Sequence, residues 1–447
     1  MTRYQLAYYG DDFTGSTDVM EALTMGGVST VLFLAPPSLD ELARFPDAEA
    51  VGIAGTSRSQ TPAQMAQHLP NIFETLKTLD ARLIHYKICS TFDSSPSLGS
   101  IGSALELARS HFPQAFTPLL VGAPILKRYV VFGNLFATAE GITYRLDRHP
   151  TMPHHPATPM TESDLRKHLA HQTDLQVALL DVLHLDRGVE VCLEHISSHP
   201  ADVLLVDTLT EAHLKVLGQL LEHWQSQNIQ FVVGSSGIEY ALIKQQHASA
   251  HPYQPATVHP AEAIIVMSGS AAPATAVQIE AAEQAGFASI RMNAPKLLDP
   301  NQQIYEHKRL KTLACEALAR QQSVLLYSAR GPDDPALTTT RDALTTLGHA
   351  PNEMSQLLGS AQGKLLADLQ QTTGITRLCV AGGDTCGYVA AHLGLVALEL
   401  LMPIAPGSPL CLAHRQDGGT LELSLKAGQV GAPDYFLAVQ RGTSQTQ

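Results

Sequence analysis

Cysteine is scarce in this sequence: six among 447 residues, with no CxxC pair. Cys89, Cys192, Cys315, Cys379, Cys386 and Cys411 are scattered along the chain, which argues against both a zinc site and a disulfide framework. Long apolar runs are missing as well. The stretches around Val203–Val206 and Leu395–Leu401 fall short of the ~20 residues a bilayer span needs, so no membrane partner is expected. The opening MTRYQLAYYGDDFTG turns polar early and lacks a signal-peptide core. A cytoplasmic location is the expectation. Basic residues are in deficit, 29 Lys and Arg against 42 Asp and Glu, for a net charge of −13. Such a surface repels phosphate backbones, so no nucleic acid is expected as a partner. An anionic substrate would have to be drawn in by a few local cations and helix N-termini.

Several familiar motifs are also absent. There is no GxxxxGK[ST] loop, no full GxGxxG fingerprint, no GxSxG elbow and no HExxH pair. The P-loop, Rossmann, α/β-hydrolase and zincin readings thereby lose their usual support. Val233–Gly237 (VGSSG) looks like a nucleophile elbow but has the wrong spacing.

What is present is a globular composition, 45% hydrophobic and 16% charged. The length suits two or three units of roughly 100–200 residues. Short apolar runs recur at Gln5–Tyr9, Ser29–Leu34, Ala50–Ala54, Leu83–Ile88, Leu119–Gly122, Val177–Leu180, Val203–Val206 and Phe231–Val233. Helical patterns separate several of them, as at Thr14–Met25, Pro62–Thr78 and Pro96–Ser110. This alternation predicts an α/β fold around mostly parallel sheet. Gln245–Ala263 is rich in Pro, Ala, His and Gln without apolar period and reads as a linker. A second series follows at Ile264–Met267, Ser323–Tyr327 and Leu378–Ala381. Two domains result, 1–250 and 262–447. Tyr144–Thr161 is dense in Pro and His; its spacing matches no ligand pattern, so an ordered Pro-rich loop is expected rather than a metal site.

Three groups of residues could carry chemistry. In Tyr8–Asp18 (YYGDDFTGSTD) a strand ends on Asp11 and Asp12 before a Thr-Gly-Ser turn opens a helix. Ligands of open α/β sheets bind at strand C-terminal ends. Asp11 and Asp12 should point in different directions, one toward a ligand as proton acceptor and the other as helix cap. Capping alone explains the pair equally well. In Tyr86–Gly102, Lys87 ends a strand and Ser90, Thr91, Asp93, Ser94 and Ser95 crowd the loop beyond. Lys87 would neutralise an acid, the hydroxyls would read a sugar, and Arg58 of Gly55–Arg58 would add a second anion clamp. Taken singly, each is an ordinary solvated turn. In the second half, Met267–Ala272 (MSGSAA), Ala381–Gly387 (AGGDTCG) and Pro406–Ser408 (PGS) are small-residue loops. Their backbone amides could approach phosphate oxygens, with Ser270, Thr385 and Asp384 adding contacts to phosphate or hydrated Mg²⁺.

In order along the chain, DDFTG with Asp18, YKICSTFDSSPSLGSIG, HHPATPM (His154–Met160), VVGSSGIEYAL, SGSAAPATAVQIEAA, AGGDTCGYVA, APGSPL and LKAGQVGAPDYF resemble the motifs of the four-carbon acid sugar kinases. The resemblance runs from about residue 5 to about 436. It implies an N-terminal domain for the sugar acid, a C-terminal domain for ATP, and catalysis in the cleft between them, with Mg²⁺ accompanying ATP. It places Asp11, Asp12, Arg58, Lys87, Thr91 and Asp93 on the substrate side, with Asp12 the preferred base. Ser268, Gly269, Ser270, Gly382, Gly383, Asp384, Thr385 and Gly407 would line the nucleotide side, with Lys426 and Gly428 near the cleft. STFDSS looks closest to the oxo-acid kinases, so 3-oxo-tetronate is the expected substrate, ahead of 3-oxo-isoapionate, D-threonate or D-erythronate. The insertion Pro96–Leu98, the Val131–Ala137 hairpin and the DRHPTMPHHP stretch depart from a plain 3-oxo-tetronate kinase. Two rival classes are a non-catalytic sugar-acid sensor and a metal-dependent hydrolase or lyase. A homo-oligomer is left open.

Overall fold

The computed structural model describes residues 3–139, 141–155, 157–245, 253–254, 256–350 and 353–445. They fall into two compact units, residues 1–31 with 36–253 and residues 32–35 with 254–447. The short segment 32–35 thus goes with the second unit, although the sequence reading gave it to the first. Of the predicted linker 245–263, residues 246–252 and 255 lie outside the described residues, and residues 256–263 form neither helix nor strand.

The first unit carries β1 (Tyr4–Gly10), the first half of β2 (Thr30–Phe33), β3 (Ala50–Ala54), β4 (Ala81–Lys87), β5 (Thr117–Leu120), β6 (Arg128–Val131), β7 (Asn134–Ala139), β8 (Ile142–Arg145), β9 (Val177–Leu180), β10 (Val203–Val206) and β11 (Phe231–Gly234). Its main sheet runs β3-β1-β4-β11-β5-β10-β9, with every neighbouring pair parallel. These strands are near-continuous apolar runs because helices cover both faces of such sheets. Gly10 pairs in register with Ala54 and Lys87, and Gly234 with Lys87. Four strands therefore end on one line, and whatever follows each of them meets its neighbours. Phe112 stacks on Phe231 at 4.6 Å, with Phe73 edge-on to both, filling the core beneath β11.

A second, antiparallel sheet, β6-β7-β8, stands apart from the main one. Its first turn places Phe132 and Gly133 at positive φ, the backbone twist that a tight hairpin favours. The buried Asp207 carboxylate, just past β10, accepts hydrogen bonds from the amides of Phe132 (2.5 Å) and Gly133 (2.9 Å). Val130 and Thr208 also exchange backbone hydrogen bonds of 3.0 and 2.9 Å. The ribbon is pinned to a strand end by these contacts. The Pro- and His-rich segment beyond it is ordered by two histidines: the Thr151 amide donates to His149 Nδ1 and the Thr158 amide to His155 Nδ1. No metal-ligating cluster occurs among the described residues.

One helix starts later than its sequence suggests. The stretch read as helical from Pro96 becomes a helix only over Ile101–His111. Leu98 donates its amide to Ser95 Oγ, Gly99 takes a φ of 58°, and Ser100 caps the first turn through the Ser103 amide.

The second unit carries β12 (Ile265–Ser268), β13 (Ala288–Arg291), β14 (Val324–Tyr327), β15 (Arg377–Ala381), β16 (Leu395–Ala405), β17 (Ser408–Arg415) and β18 (Thr420–Lys426), ordered β13-β14-β12-β15-β18-β17-β16. Five strands are parallel, while β17 runs antiparallel to both β18 and β16. The sequence reading of this half named only three strands. Ser268 lies in register with Ala381, and Ala381 with Lys426. The core packs Val266, Cys379 and Ile404 against Tyr435 and Phe436. No helix among the described residues is long and apolar enough to cross a membrane.

Candidate functional sites at two sets of strand ends

In the first unit, the alignment of strand ends brings Asp11, Asp12, Arg58 and Lys87 together. The Asp11 amide donates to the Lys87 carbonyl, and the Arg58 amide to the Asp11 carbonyl. Arg58 Nη2 lies 2.6 Å from Asp11 Oδ1 and 2.8 Å from Asp12 Oδ1. The two carboxylates therefore converge on one guanidinium rather than diverging. Asp12 is also the cap of the helix Phe13–Met25, accepting from the Gly15 amide at 2.9 Å and the Thr14 hydroxyl at 2.6 Å. Lys87 Nζ donates to the Gly15 carbonyl at 3.3 Å and faces Asp18 Oδ2 at 3.5 Å. The anion-clamp roles expected for Arg58 and Lys87 are thus taken up, in this structure, by the protein's own carboxylates.

Burial and charge divide the aspartates. Burial pushes Asp11 up to about 6, with Arg58 pulling part of the way back. Burial weighs against the charge on Asp12 too, but Arg58, Thr14, Lys87 and the Gly15 amide outweigh it and hold its carboxyl below the usual range. The Asp12 side chain is 14% exposed against 4% for Asp11. Lys87 loses from burial, yet Asp18, Asp12 and Asp11 together lift it above an ordinary lysine. Two residues behind Lys87 on β4, His85 is paired with Glu239 at 2.6 Å, both fully buried. Sequence reasoning missed that pair, for its members are 154 residues apart.

Thr91 and Asp93 form a local pair, the Thr91 hydroxyl donating to Asp93 Oδ1 at 2.7 Å. The Cys89 sulfur lies 2.9 Å from the same hydroxyl, and burial pushes its thiol up to about 12. Asp93 and Cys89 act electrostatically on Arg58, which ties this loop to the aspartate cluster.

In the second unit, Ser268, Gly269, Ser270, Gly382, Thr385, Lys426 and Gly428 gather at the ends of β12, β15 and β18. The Gly269 amide donates to the Ala381 carbonyl and the Gly382 amide to the Lys426 carbonyl. A Cβ on Gly269 would come 2.2 Å from Thr385 Oγ1. Gly382 has a φ of 128°, and a Cβ there would sit 2.9 Å from the same oxygen. Only glycine fits these two positions. Gly382 starts the helix Gly383–Ala390 with no side-chain cap, so first-turn amides keep their hydrogen-bonding capacity for an anion. Gly383 opens that helix; the side chain of Asp384 lies outside the described residues. Gly407 sits elsewhere in kind: it turns the chain from β16 into β17, at a φ of 73°, rather than linking a strand to a helix.

Lys426 is fully buried. Its Nζ donates to Thr275 Oγ1 (3.2 Å), the Ala427 carbonyl (2.8 Å) and the Gly428 carbonyl (3.1 Å). Burial pulls it down to about 8. Thr275 was not anticipated, yet its hydroxyl lies 3.0 Å from Ser270 Oγ and 2.8 Å from the Gly428 carbonyl. Gln362 was missed too. Its amide is buried without a partner beside Gly269, as is the Ser268 hydroxyl. A hydroxyl five residues past the Ser-Gly-Ser loop, in the first turn of the helix Pro273–Gln284, was the available signal for Thr275; a lone helical glutamine offered none.

These strand ends can do two different things: one handles protons next to hydroxyls, the other cradles an oxyanion. Comparison with known proteins agrees with that division. Residues 6–242 match a family model described as a sugar-binding N-terminal domain, and residues 265–436 one described as a nucleotide-binding C-terminal domain. A 3-oxo-isoapionate kinase of Paraburkholderia graminis is 44% identical over 98% of this chain and 94% of its own length. A 3-oxo-tetronate kinase of Cupriavidus necator is 29% identical over 96% of this chain and 95% of its own. A crystal structure from Salmonella typhimurium LT2 superposes with a TM-score of 0.78 at 25% identity, covering 98% of this chain and 99% of that one. With both models matched in order and the kinase likeness running end to end, the chain belongs to the four-carbon acid sugar kinase family.

Proposed function

We propose that this enzyme transfers the γ-phosphoryl group of MgATP to a hydroxyl of a branched 3-oxo sugar acid, 3-oxo-isoapionate being the first candidate. The likeness to a 3-oxo-isoapionate kinase at 44% identity, against 29% for a 3-oxo-tetronate kinase, carries the choice of substrate. It puts the branched acid ahead of 3-oxo-tetronate, the substrate expected from STFDSS.

Asp12, the more exposed aspartate, accepts the proton of the attacking hydroxyl. Asp11 and Arg58 fix its orientation and charge. Lys87 holds the strand end and Asp18 in place. Thr91 and Asp93 face the hydroxyls of the sugar. In the second unit the uncapped Gly383–Ala390 helix, Gly269 and Gly382 receive the phosphates, with Ser270, Thr385 and Lys426 supplying donors. Mg²⁺ bound with ATP would spread the phosphate charge, with Ser270 and Thr385 the hydroxyls available to its hydration shell. With little bond chemistry for protein groups to perform, positioning and electrostatics supply most of the rate.

The test is a coupled ADP-release assay with MgATP and a panel of 3-oxo-isoapionate, 3-oxo-tetronate, D-threonate and D-erythronate. Turnover at least tenfold faster with the branched acid is expected. A preference for 3-oxo-tetronate would overturn the substrate, and ADP release with no acid in the panel would overturn the proposal.

A further inference from the structure

Four carboxylates and three cations surround the strand ends of the first unit, and their pairing is uneven. Arg58 is held by Asp11 and Asp12, and Lys87 faces Asp18. Arg128 is different. It opens the antiparallel ribbon and exchanges backbone hydrogen bonds with Ala123, on the segment that leaves the C-terminal end of β5. Its Nη1 donates to the carbonyls of Leu126 (3.0 Å) and Lys127 (3.2 Å), which fixes the guanidinium plane. Its Nε is buried with no hydrogen-bond partner. Among the described residues no carboxylate reaches it at ion-pair distance, although Asp93 and Cys89 act on it electrostatically. The Cys89 thiol is neutral at physiological pH, so it supplies no counter-charge.

A buried N–H without an acceptor is costly, and native structures complete such groups with water or ligand. Arginine is also the side chain whose fork matches a carboxylate. The geometry points to Arg128 as the residue that binds the substrate's carboxylate and so selects acids over neutral sugars, a role that sequence reasoning had given to Lys87. This inference rests on the sugar-acid reading above. It also gives the ribbon a purpose: the Asp207 anchor and the Val130–Thr208 bridge hold Arg128 where Asp93 acts on its guanidinium. His149 lies in the field of the same guanidinium. Burial first, and that positive charge second, keep its imidazole neutral, so it does not add a competing cation.

The experiment compares Arg128→Ala with the unsubstituted enzyme on 3-oxo-isoapionate and on its carboxamide. Loss of kcat/KM by roughly 10²–10³ is expected for the acid, mostly through KM, with the carboxamide changed less than about threefold. Equal losses on acid and amide, or no loss on either, overturn the assignment. Calorimetric binding of the acid without ATP separates the two layers of the argument. If the enzyme binds the acid but releases no ADP, the kinase reading fails while weaker binding by Arg128→Ala still supports this role. If Arg128→Ala does not fold, Arg128→Lys and Arg128→Gln replace it. Acid preference kept in the lysine variant and lost in the glutamine variant supports the assignment; preference kept in both overturns it.

Discussion

The two sets of strand ends solve opposite electrostatic problems with the same architecture. In the first unit, Asp11, Asp12, Asp18, Arg58 and Lys87 pair with one another, and the strand ends are crowded with carboxyl and cationic groups. In the second, the described polar groups include glycine amides, the hydroxyls of Ser268, Ser270, Thr275 and Thr385, the Gln362 amide and one buried lysine, with no described carboxylate paired to it. On the proposed function, the contrast follows from what each would hold. A hydroxyl about to be deprotonated needs a carboxylate whose charge is secured by a cation. A triphosphate already carries charge, and needs donors that stand close without bulk. The lesson is that a parallel sheet supplies only a row of openings; the residues just past each strand decide the chemistry.

The sharpest way to break this contrast is to neutralise the first site. Asp12→Asn should lower kcat by roughly 10²–10⁴ while calorimetric ATP affinity stays within about twofold. A variant that keeps its turnover would remove Asp12 from proton transfer, and one that loses ATP instead would end the division of labour. Lys426→Met should show the mirror image: kcat/KM for ATP down roughly 10²–10³, as for loss of one charge-assisted donor to a transition-state oxyanion, with acid affinity unchanged. Gly382→Ala is a milder probe. Its Cβ would press on Thr385 and the φ of 128° would be strained, so ATP KM should rise about ten- to a hundredfold with the protein still folded by circular dichroism.

The smallest effect is on pH dependence, where the two sites should appear as opposite limbs. Asp11 is raised to about 6, so protonation as pH falls through that value removes the charge that Arg58 shares with Asp12. The kcat/KM for the acid should therefore fall below about pH 6. Lys426 is lowered to about 8, so its positive charge is lost as pH rises through that value. The kcat/KM for ATP should fall above about pH 8. Asp11→Asn should abolish the acid limb and leave the alkaline one; an unchanged acid limb would assign it to another group.

Much of each site was legible because strand ends are marked in sequence. A short apolar run followed by Asp-Asp, Gly-Thr-Ser-Arg, Ser-Gly-Ser or Gly-Gly-Asp-Thr is visible without coordinates. Strand order is not. The joint hold of Arg58 on Asp11 and Asp12 depends on β3 lying beside β1, and nothing in the local pattern announces that neighbour. Buried partners such as Glu239 for His85 were hidden for the same reason. The strand β16 escaped because Leu395–Ala405 is an apolar run broken only by Glu399, which periodicity alone does not separate from a buried helix; β18, with Leu421, Leu423 and Leu425 in alternation, carried a strand signal that was passed over. Pro96 misled in the other direction, since proline suits a helix start but here lies within the Ser95–Leu98 turn.

The ribbon β6-β7-β8 is joined to the main sheet's strand ends through the Asp207 anchor and a few backbone bridges, whereas Asp11, Asp12 and Lys87 emerge directly from central strands. A change of sequence in the ribbon disturbs no central strand pairing. If Arg128 reads the acid as proposed, molecular tinkering there would change diet, in the metabolic sense, while leaving the strand ends that hold Asp11, Asp12 and Lys87 as they are.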